Sequence, residues 1–451
     1  MSDLQKLKNK IRDGVYDGAF ALLYPVNHAG GEPGRRYLSL LETFETGFGI
    51  GNDVRLFSAP GRIEIGGNHT DHQRGVVLAA AIDTDVLCAA TPSPDNTIFI
   101  RSAGYSDISV SLEDLSVHDD EKGSPSAIVR GVAAWFRKQG YDAGGFRAAI
   151  TSNVSTGSGL SSSAAFEVAT GGIMNALYNE HKVGSVDIAI AGKYAENEYF
   201  GKPSGLMDQM ASSVGGLVSI DFNDPAAPVV RRIDSHLADA GYDICIVDTK
   251  GSHADLTHEY ATIPEEMGRI AAAFGKDALT DVDEQSFFAR VPKLRETCGD
   301  RSVLRAMHFF TDNQLALREA DALAAGDIRE FLSLVRRSGR SSLACLQNIF
   351  SASDPARQGI SVALALSERF LSETGGAWRV HGGGFAGTIL AFVPDKSFDD
   401  YKREMDGVFG TGSCRRLAIR PVGGAEVLPE MAPDGQCPRA ERSYSPDKEE
   451  R

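Results

Sequence analysis

The spacing of hydrophobic residues along the chain predicts a protein that mixes helices and strands. Leu38, Leu41, Phe44 and Phe48 recur at helical spacing, which predicts an N-terminal helix that packs on the first domain. The same reasoning predicts helices over 126–139, 185–200 and 315–338, and strands over 54–58, 76–92, 97–111, 243–248 and 388–393. Ser126 is the predicted N-cap of its helix.

These elements indicate an α+β protein of two lobes with a boundary near residue 220. Residues 1–220 would form the N-terminal lobe and residues 221–430 the C-terminal lobe. Residues 431–451 are rich in proline and charge and have almost no apolar content, which predicts a disordered tail.

Charge and composition narrow the classes of partner and compartment. The formal net charge is −15, which argues against nucleic acid or an anionic membrane as the main partner. The six cysteines form no C-x-x-C pair, which predicts free thiols in a reducing cytoplasm. The charged N-terminus lacks the apolar core of a signal peptide, and no apolar run is long enough to cross a membrane. We therefore expect a cytoplasmic protein, and we predict a monomer.

A glycine- and serine-rich stretch has the composition of an anion-binding loop. Residues 157–165 read Gly-Ser-Gly-Leu-Ser-Ser-Ser-Ala-Ala and precede a predicted helix that runs to about residue 180. The first N–H groups of a helix have no intrahelical partner and suit phosphate. The stretch lacks the lysine of a Walker A loop. Taken alone, it is equally consistent with a plain serine N-cap that binds nothing.

Two further stretches favour the phosphate interpretation. Residues 59–72 read Ala-Pro-Gly-Arg-Ile-Glu-Ile-Gly-Gly-Asn-His-Thr-Asp-His, and residues 380–393 begin Val-His-Gly-Gly-Gly-Phe-Ala-Gly. In order and spacing, the three stretches resemble the signature motifs of the GHMP kinases, most closely the galactokinase family. The first galactokinase motif typically reads P-G-R-V-N-L-I-G-E-H-T-D-Y. The resemblance extends from about residue 55 to about residue 393.

This resemblance implies a fold, two cofactors and a set of site residues. The fold would be the two-lobed GHMP kinase fold, with mixed β-sheets flanked by helices and the active site in the interlobe cleft. ATP would bind a cradle made of Gly157, Ser158, Gly159, Leu160, Ser161, Ser162, Ser163 and Ala164. Mg²⁺ would be held by Ser163, with Ser162 as the alternative, and by Glu196. Without the resemblance, Glu196 would be read as a solvated helix residue.

Asp208 and Arg62 are the catalytic residues that the resemblance implies. Asp208 lies in Gly-Leu-Met-Asp-Gln-Met, where the family aspartate faces the sugar C1 hydroxyl and can act as a general base. Arg62 would keep Asp208 ionised and stabilise the transferring phosphoryl group. An aspartate near a helix start can also serve only as a cap. The residues that would bind the sugar are Asn68, His69, Asp71, Gly205 and Tyr260.

Several positions depart from the family pattern. Asn68 replaces the glutamate that contacts the sugar C6 hydroxyl, and His72 replaces a tyrosine. Residues 64–66 read Glu-Ile-Gly in place of Asn-Leu-Ile, and Ser252 and Ser204 replace an arginine and a cysteine. The ATP half of the site therefore matches the family, whereas the C6 end of the sugar pocket differs.

Three functions are compatible with these observations. The first is ATP-dependent phosphorylation of the C1 hydroxyl of galactose. The second is an anomeric kinase for a related sugar, namely galacturonate, arabinose or N-acetylgalactosamine. The third is a catalytically inactive sugar sensor, which the intact serine run, Glu196 and Asp208 disfavour.

Overall fold

A computed structural model describes most of the chain. The described residues are 2–26, 31–49, 53–102, 104–155, 159–202, 204–224, 227–234, 237, 240–251 and 256–431. The predicted disordered tail, apart from Met431, lies outside them.

Helices and strands follow one another in runs along the chain, and the strands form two sheets. The helices are α1 (Asp3–Arg12), α2 (Asp17–Leu23), α3 (Glu32–Phe48), α4 (Pro125–Lys138), α5 (Ser162–Tyr178), α6 (Ser185–Tyr194), α7 (Met207–Val214), α8 (Thr257–Ala272), α9 (Glu284–Cys298), α10 (Asp300–Ala324), α11 (Ile328–Ser341), α12 (Gly359–Thr374) and α13 (Phe398–Phe409). The strands are β1 (Arg55–Gly66), β2 (Val76–Pro92), β3 (Thr97–Ser102), β4 (Ile108–Ser111), β5 (Phe146–Ser152), β6 (Leu217–Asp221), β7 (Val229–Ile233), β8 (Tyr242–Asp248), β9 (Ala377–Val380), β10 (Thr388–Pro394), β11 (Cys414–Leu417) and β12 (Ala425–Glu426).

The first sheet has eight strands and is mixed, as predicted. Its main path is β12-β1-β2-β5-β3-β4, and β6 pairs with both β2 and β7. The long strand β2 pairs with β6 through its first residues and with β5 through its last. β3 and β5 run parallel. The second sheet has the order β11-β8-β10-β9, and its neighbouring strands are antiparallel.

Successive side chains along the strands of the first sheet point to opposite faces, and helices cover both faces. Phe57 and Cys88 point to a core shared with α4, α5 and α6. Leu56 and Leu87, one residue away, point to the opposite face, which α1, α2 and α3 cover. The predicted N-terminal helix therefore packs on the first sheet, as expected.

A third core joins the two sheets. Ile63 and Leu78 from the first sheet pack with Ile246 and Leu390 from the second. Residues of α10 and α11 belong to the same cluster. Because these elements share one core, the residues at the ends of β1 lie beside those that precede β10. The predicted lobe boundary near residue 220 stays a prediction, and the first sheet includes β7 and β12 from beyond it.

Two helix predictions were wrong in detail. The N-cap of α4 is Ser124, not Ser126, because Ser124 Oγ accepts a hydrogen bond from the N–H of Ala127 and Pro125 occupies the first turn. The stretch 315–338 forms parts of two helices. Gly326 adopts the left-handed region with φ +71° and ends the first, and Asp327 caps the second. The α+β class is confirmed.

Candidate active site

Arg62 and Asp208 form a close ion pair that joins β1 to the start of α7. Arg62 Nε and Nη2 donate to Asp208 Oδ1 at 2.8 and 2.7 Å. Ser161 Oγ donates to the other carboxylate oxygen, Oδ2. Arg62 also donates from Nη1 to the carbonyl of Gly159 and from its backbone N–H to the carbonyl of Leu160. The predicted catalytic pair and the described part of the cradle therefore form one hydrogen-bonded unit.

This surrounding keeps Asp208 ionised. Burial would raise the pKa of Asp208, but the charge of Arg62 and the hydrogen bonds from Ser161 and Arg62 outweigh burial and hold the pKa below its ordinary value. The Asp208 side chain is 33% exposed, so the carboxylate remains accessible to a ligand. Asp208 lies in the first turn of α7 but does not cap it.

The glycine- and serine-rich stretch forms a turn that opens α5. Gly159 has φ +70°, and Ser161 occupies the left-handed region with φ 59°, just before the helix begins at Ser162. Ser161 makes no side-chain capping bond to the helix, so the first N–H groups of α5 stay available to an anion. Leu160 and Ala164 are buried and anchor the turn. Gly157 and Ser158 lie outside the described residues.

Glu196 lies in an acidic pocket beside α7. Its Oε1 accepts from Lys202 Nζ at 2.7 Å, and its Oε2 accepts from Gln209 Nε2 at 2.9 Å. Gln209 also donates to Glu167 Oε2 at 2.8 Å, while Glu167 Oε1 is buried and has no hydrogen-bond partner among the described residues. Burial, then the charge of Glu196, raises the pKa of Glu167 well above its ordinary value. Glu196 is buried, whereas the predicted second ligand, Ser163, is exposed on the first turn of α5.

Asp71 and Gly205 are in direct contact near Asp208. A Cβ on Gly205 would lie 2.3 Å from Asp71 Oδ2, so only glycine leaves room for this carboxylate. Asp71 Oδ1 accepts from the backbone N–H of His72 at 3.0 Å. The structure thus brings Asp71 to the segment that leads into Asp208.

His69 and Tyr260 rest on the third glycine-rich loop. His69 Nε2 lies 3.1 Å from the carbonyl oxygen of Gly383, and Tyr260 donates its hydroxyl to the carbonyl of Gly384 at 2.9 Å. Burial, followed by the charge of His72, lowers the pKa of His69 to about 4, so its ring is neutral at pH 7. A Cβ on Gly383 would lie 2.6 Å from the Tyr260 ring. The loop 382–384 therefore fixes two of the predicted sugar-binding side chains.

Asn68 lies deeper than the other predicted sugar-binding residues. It is 0% exposed, and its Nδ2 donates to the carbonyl of Gly382 at 2.8 Å. This burial cannot be predicted from the segment Asn-His-Thr-Asp, whose polar residues are equally typical of a turn.

Several residues of the site were not predicted. Gln209 belongs to the Asp208 motif but has no predicted role, and Lys202 and Glu167 have none either. His381 was part of the third motif. Its Nε2 accepts from the backbone N–H of Glu64 at 3.2 Å, and burial, then the charges of Arg62 and Arg379, lowers its pKa well below the ordinary value. Gln209 and Glu167 are 42 residues apart and Glu64 and His381 are 317 apart, so no local pattern indicates these two contacts, whereas Lys202 and Glu196 are only 6 residues apart.

Two family models and a curated relative match this chain. A model of the GHMP kinase N-terminal domain matches residues 127–216, and a galactokinase galactose-binding signature matches residues 42–92. Among curated proteins, the chain is similar to the galactokinase of Mannheimia succiniciproducens, with 31% identity over 357 residues, covering 76% of this chain and 86% of the relative.

Solved structures share the fold. The crystal structure of Lactococcus lactis galactokinase complexed with galactose superposes with a TM-score of 0.74 at 24% identity, covering 86% of this chain and all of that one. Methanococcus jannaschii mevalonate kinase gives a TM-score of 0.58 at 14% identity, covering 81% and 98% of the two chains. Within the described residues, no helix is long and apolar enough to cross a membrane. The chain belongs to the galactokinase family of the GHMP kinases.

Proposed function

We propose that this sugar kinase transfers the γ-phosphate of ATP to the C1 hydroxyl of galactose and forms galactose 1-phosphate. The observation that carries the proposal is the unit made by Arg62, Asp208 and Ser161. It holds an ionised, partly exposed carboxylate between the turn that opens α5 and the Asp71–Gly205 contact.

Phosphoryl transfer depends mainly on positioning and charge stabilisation. Asp208 would accept a hydrogen bond from the C1 hydroxyl and take its proton as the bond to phosphorus forms. Because the pKa of Asp208 is below its ordinary value, the carboxylate is a weak base, and proton transfer would be late in the step. Arg62 would stabilise charge on the transferring group. Asp71 would accept hydrogen bonds from sugar hydroxyls.

The residues around Glu196 fit a magnesium ion. Mg²⁺ prefers hard oxygen ligands and keeps several waters. Glu167 Oε1, next to Glu196, is buried and has no hydrogen-bond partner among the described residues, so an oxygen remains for a cation or its water. Lys202 is 58% exposed and can move away from Glu196. Among the described residues, no group of three or more acidic, histidine or cysteine side chains could hold a metal ion by itself. Bound magnesium would neutralise charge on the phosphates, with Glu196 and Ser163 as its protein ligands.

A panel of free sugars tests this proposal. Purified protein is mixed with ATP, magnesium and galactose, galacturonate, arabinose or N-acetylgalactosamine, and ADP release is measured. We expect galactose to give the highest kcat/KM. A higher kcat/KM for another of these sugars would establish the related-sugar alternative. If no ADP were released with any of the four sugars, the proposal would be contradicted.

A further inference from the structure

Three departures from the galactokinase motif lie in one buried polar cluster. The family pattern has asparagine at the position of Glu64, isoleucine at Gly66 and glutamate at Asn68. Compared with the family pattern, asparagine and glutamate are therefore exchanged between positions 64 and 68. Glu64 and Asn68 are both buried and contact each other, with Asn68 Nδ2 donating to Glu64 Oε1 at 2.7 Å. The two departures are thus a physical pair.

The hydrogen-bonding capacity of the Asn68 side chain is fully used within the protein. Its Nδ2 donates to Glu64 and to the carbonyl of Gly382, and its Oδ1 accepts from Asn348 Nδ2 at 2.8 Å and from Ser342 Oγ at 3.3 Å. A carboxamide has two donors and an oxygen with two lone pairs, so all four positions are occupied. No donor or acceptor remains for a sugar hydroxyl.

The carboxylate of the pair is fixed on β1. Arg379 is fully buried, and its Nη2 donates to Glu64 Oε1 at 3.2 Å. Arg379 also donates to the carbonyl of Ile65. The carboxyl group that the family places at position 68 is therefore at position 64 in this chain, where it contacts a buried guanidinium.

The third departure makes room for another carboxyl group. A Cβ on Gly66 would lie 1.8 Å from Glu319 Oε2, so isoleucine cannot occupy this position while Glu319 points there from α10. Glu319 is 0% exposed, and neither of its carboxyl oxygens has a hydrogen-bond partner among the described residues. The three departures are consequently one coordinated change beneath the predicted sugar pocket.

From this arrangement we propose that Asn68 is a positioning residue and not a sugar ligand. The inference rests on the proposed galactose kinase activity. Asn68 fixes the carbonyl of Gly382 next to the loop residues that hold His69 and Tyr260. The exchange with Glu64 leaves no carboxylate at the C6 end of the pocket. A site built around a hydroxyl can reject an analogue that lacks it by about 10⁴-fold. Here, kcat/KM for 6-deoxygalactose lies within about tenfold of that for galactose.

Replacing Asn68 by alanine separates positioning from direct contact. In Asn68→Ala, KM for galactose rises by about tenfold, because the loop loses its anchor, while the ratio of kcat/KM for galactose to that for 6-deoxygalactose changes by less than about twofold. Asn175→Ala is the matched control. Asn175 is also buried and bonds the backbone N–H and carbonyl of Val183, away from the site, so this variant loses thermal stability but keeps the wild-type KM.

Exchanging the pair back gives a second, independent test. Asn68→Glu alone places two carboxylates at hydrogen-bond distance and lowers kcat/KM for galactose by at least about tenfold. The double variant Glu64→Asn, Asn68→Glu recovers activity and discriminates against 6-deoxygalactose at least about tenfold more than wild type. If Asn68→Ala changed the selectivity ratio tenfold, or if Asn68→Glu were as active as wild type, the inference would be overturned. An inactive double variant that retains its fold would also contradict the proposal that residues 64 and 68 are exchanged as a pair. Wild-type protein that failed to phosphorylate galactose would instead contradict the proposed function.

Discussion

At the scale of single residues, the pKa of Asp208 results from opposing effects. Burial favours the neutral acid, whereas Arg62 and Ser161 favour the carboxylate, and the latter effects are larger. A sequence can identify such an aspartate by its motif, but it cannot give this balance, because Arg62 and Ser161 approach from β1 and from the turn before α5. The hydrogen bond from Ser161 was not predicted.

Replacing Asp208 by asparagine should remove the group that receives the C1 proton. We expect Asp208→Asn to lower kcat by about a hundredfold or more, the usual range for a positioned acid–base group. The Kd of a non-hydrolysable ATP analogue should change by less than about threefold. Asp120→Asn, an exposed aspartate elsewhere, is the control. Wild-type turnover in Asp208→Asn would remove this residue from the mechanism.

Removing a proposed magnesium ligand should change the metal requirement. Glu196→Gln and Ser163→Ala should each raise the magnesium concentration for half-maximal activity by about tenfold, because each loses one oxygen ligand. Mn²⁺ binding in the presence of nucleotide, followed by electron paramagnetic resonance, should weaken in parallel. Glu198→Gln is the matched control, since Glu198 is exposed in the same helical turn. Unchanged titrations would contradict both assignments.

At the scale of elements, the backbone carbonyls of the third glycine-rich loop hold Asn68 and two predicted sugar-binding residues, His69 and Tyr260. The carbonyls of Gly382, Gly383 and Gly384 contact Asn68, His69 and Tyr260. The motif itself was recognised from sequence, but its glycines suggested only close approach of the backbone. That the approaching group is the ring of Tyr260 depends on the packing of α8, which no local pattern encodes.

A methyl group at position 383 should disturb this support. In Gly383→Ala the new Cβ would lie 2.6 Å from Tyr260 Cε1, so the tyrosine ring must move. We expect KM for the sugar to rise by about tenfold while the nucleotide Kd stays the same. Gly407→Ala, where a Cβ meets nothing within 4 Å, should leave both values unchanged. An unaltered sugar KM in Gly383→Ala would show that Tyr260 does not bind the sugar.

The sequence predicted the elements better than their junctions. The regular strands at 76–92, 243–248 and 388–393 were located because their apolar runs are long. The break between α10 and α11 was missed because one glycine, Gly326, interrupts an otherwise continuous helical pattern. The predicted N-cap of α4 lies two residues from the observed one because Ser124 and Ser126 are both suitable capping residues.

At the scale of the whole molecule, charged groups lie buried where the two sheets share a core. Glu64 and Glu319 both interact with one buried guanidinium, that of Arg379, and Asp312 Oδ2 lies 3.7 Å from Nε2 of the buried His308. Burial raises the pKa of Glu64 to about 7, although Arg379 and Arg62 lower it. Sequence alone could not show the burial of Glu64, since the cluster combines residues of β1, α10 and β9.

The raised pKa of Glu64 predicts a pH dependence of stability. The folded protein binds a proton at Glu64 more tightly than the unfolded chain, whose glutamates titrate near 4.5. The contribution of this protonation to the free energy of unfolding therefore decreases as pH rises from about 4.5 to about 7. Between about pH 5 and pH 8, wild type should lose stability relative to Glu64→Gln by on the order of 2 kcal/mol. Thermal unfolding of both proteins measures the difference. Glu368→Gln, which removes an exposed carboxylate, should parallel wild type. If stability depended on pH in the same way in wild type and Glu64→Gln, ionisation of Glu64 would not destabilise the folded protein.

The position of the phosphate on the product tests the central claim most directly. The protein is incubated with ATP, magnesium and galactose, and the product is analysed by two-dimensional ¹H–³¹P NMR. The arrangement of Asp208, Arg62 and Asp71 predicts a phosphorus signal coupled to the anomeric proton, as in galactose 1-phosphate. A phosphorus signal coupled to the C6 protons, or ADP formed without any sugar phosphate, would contradict it.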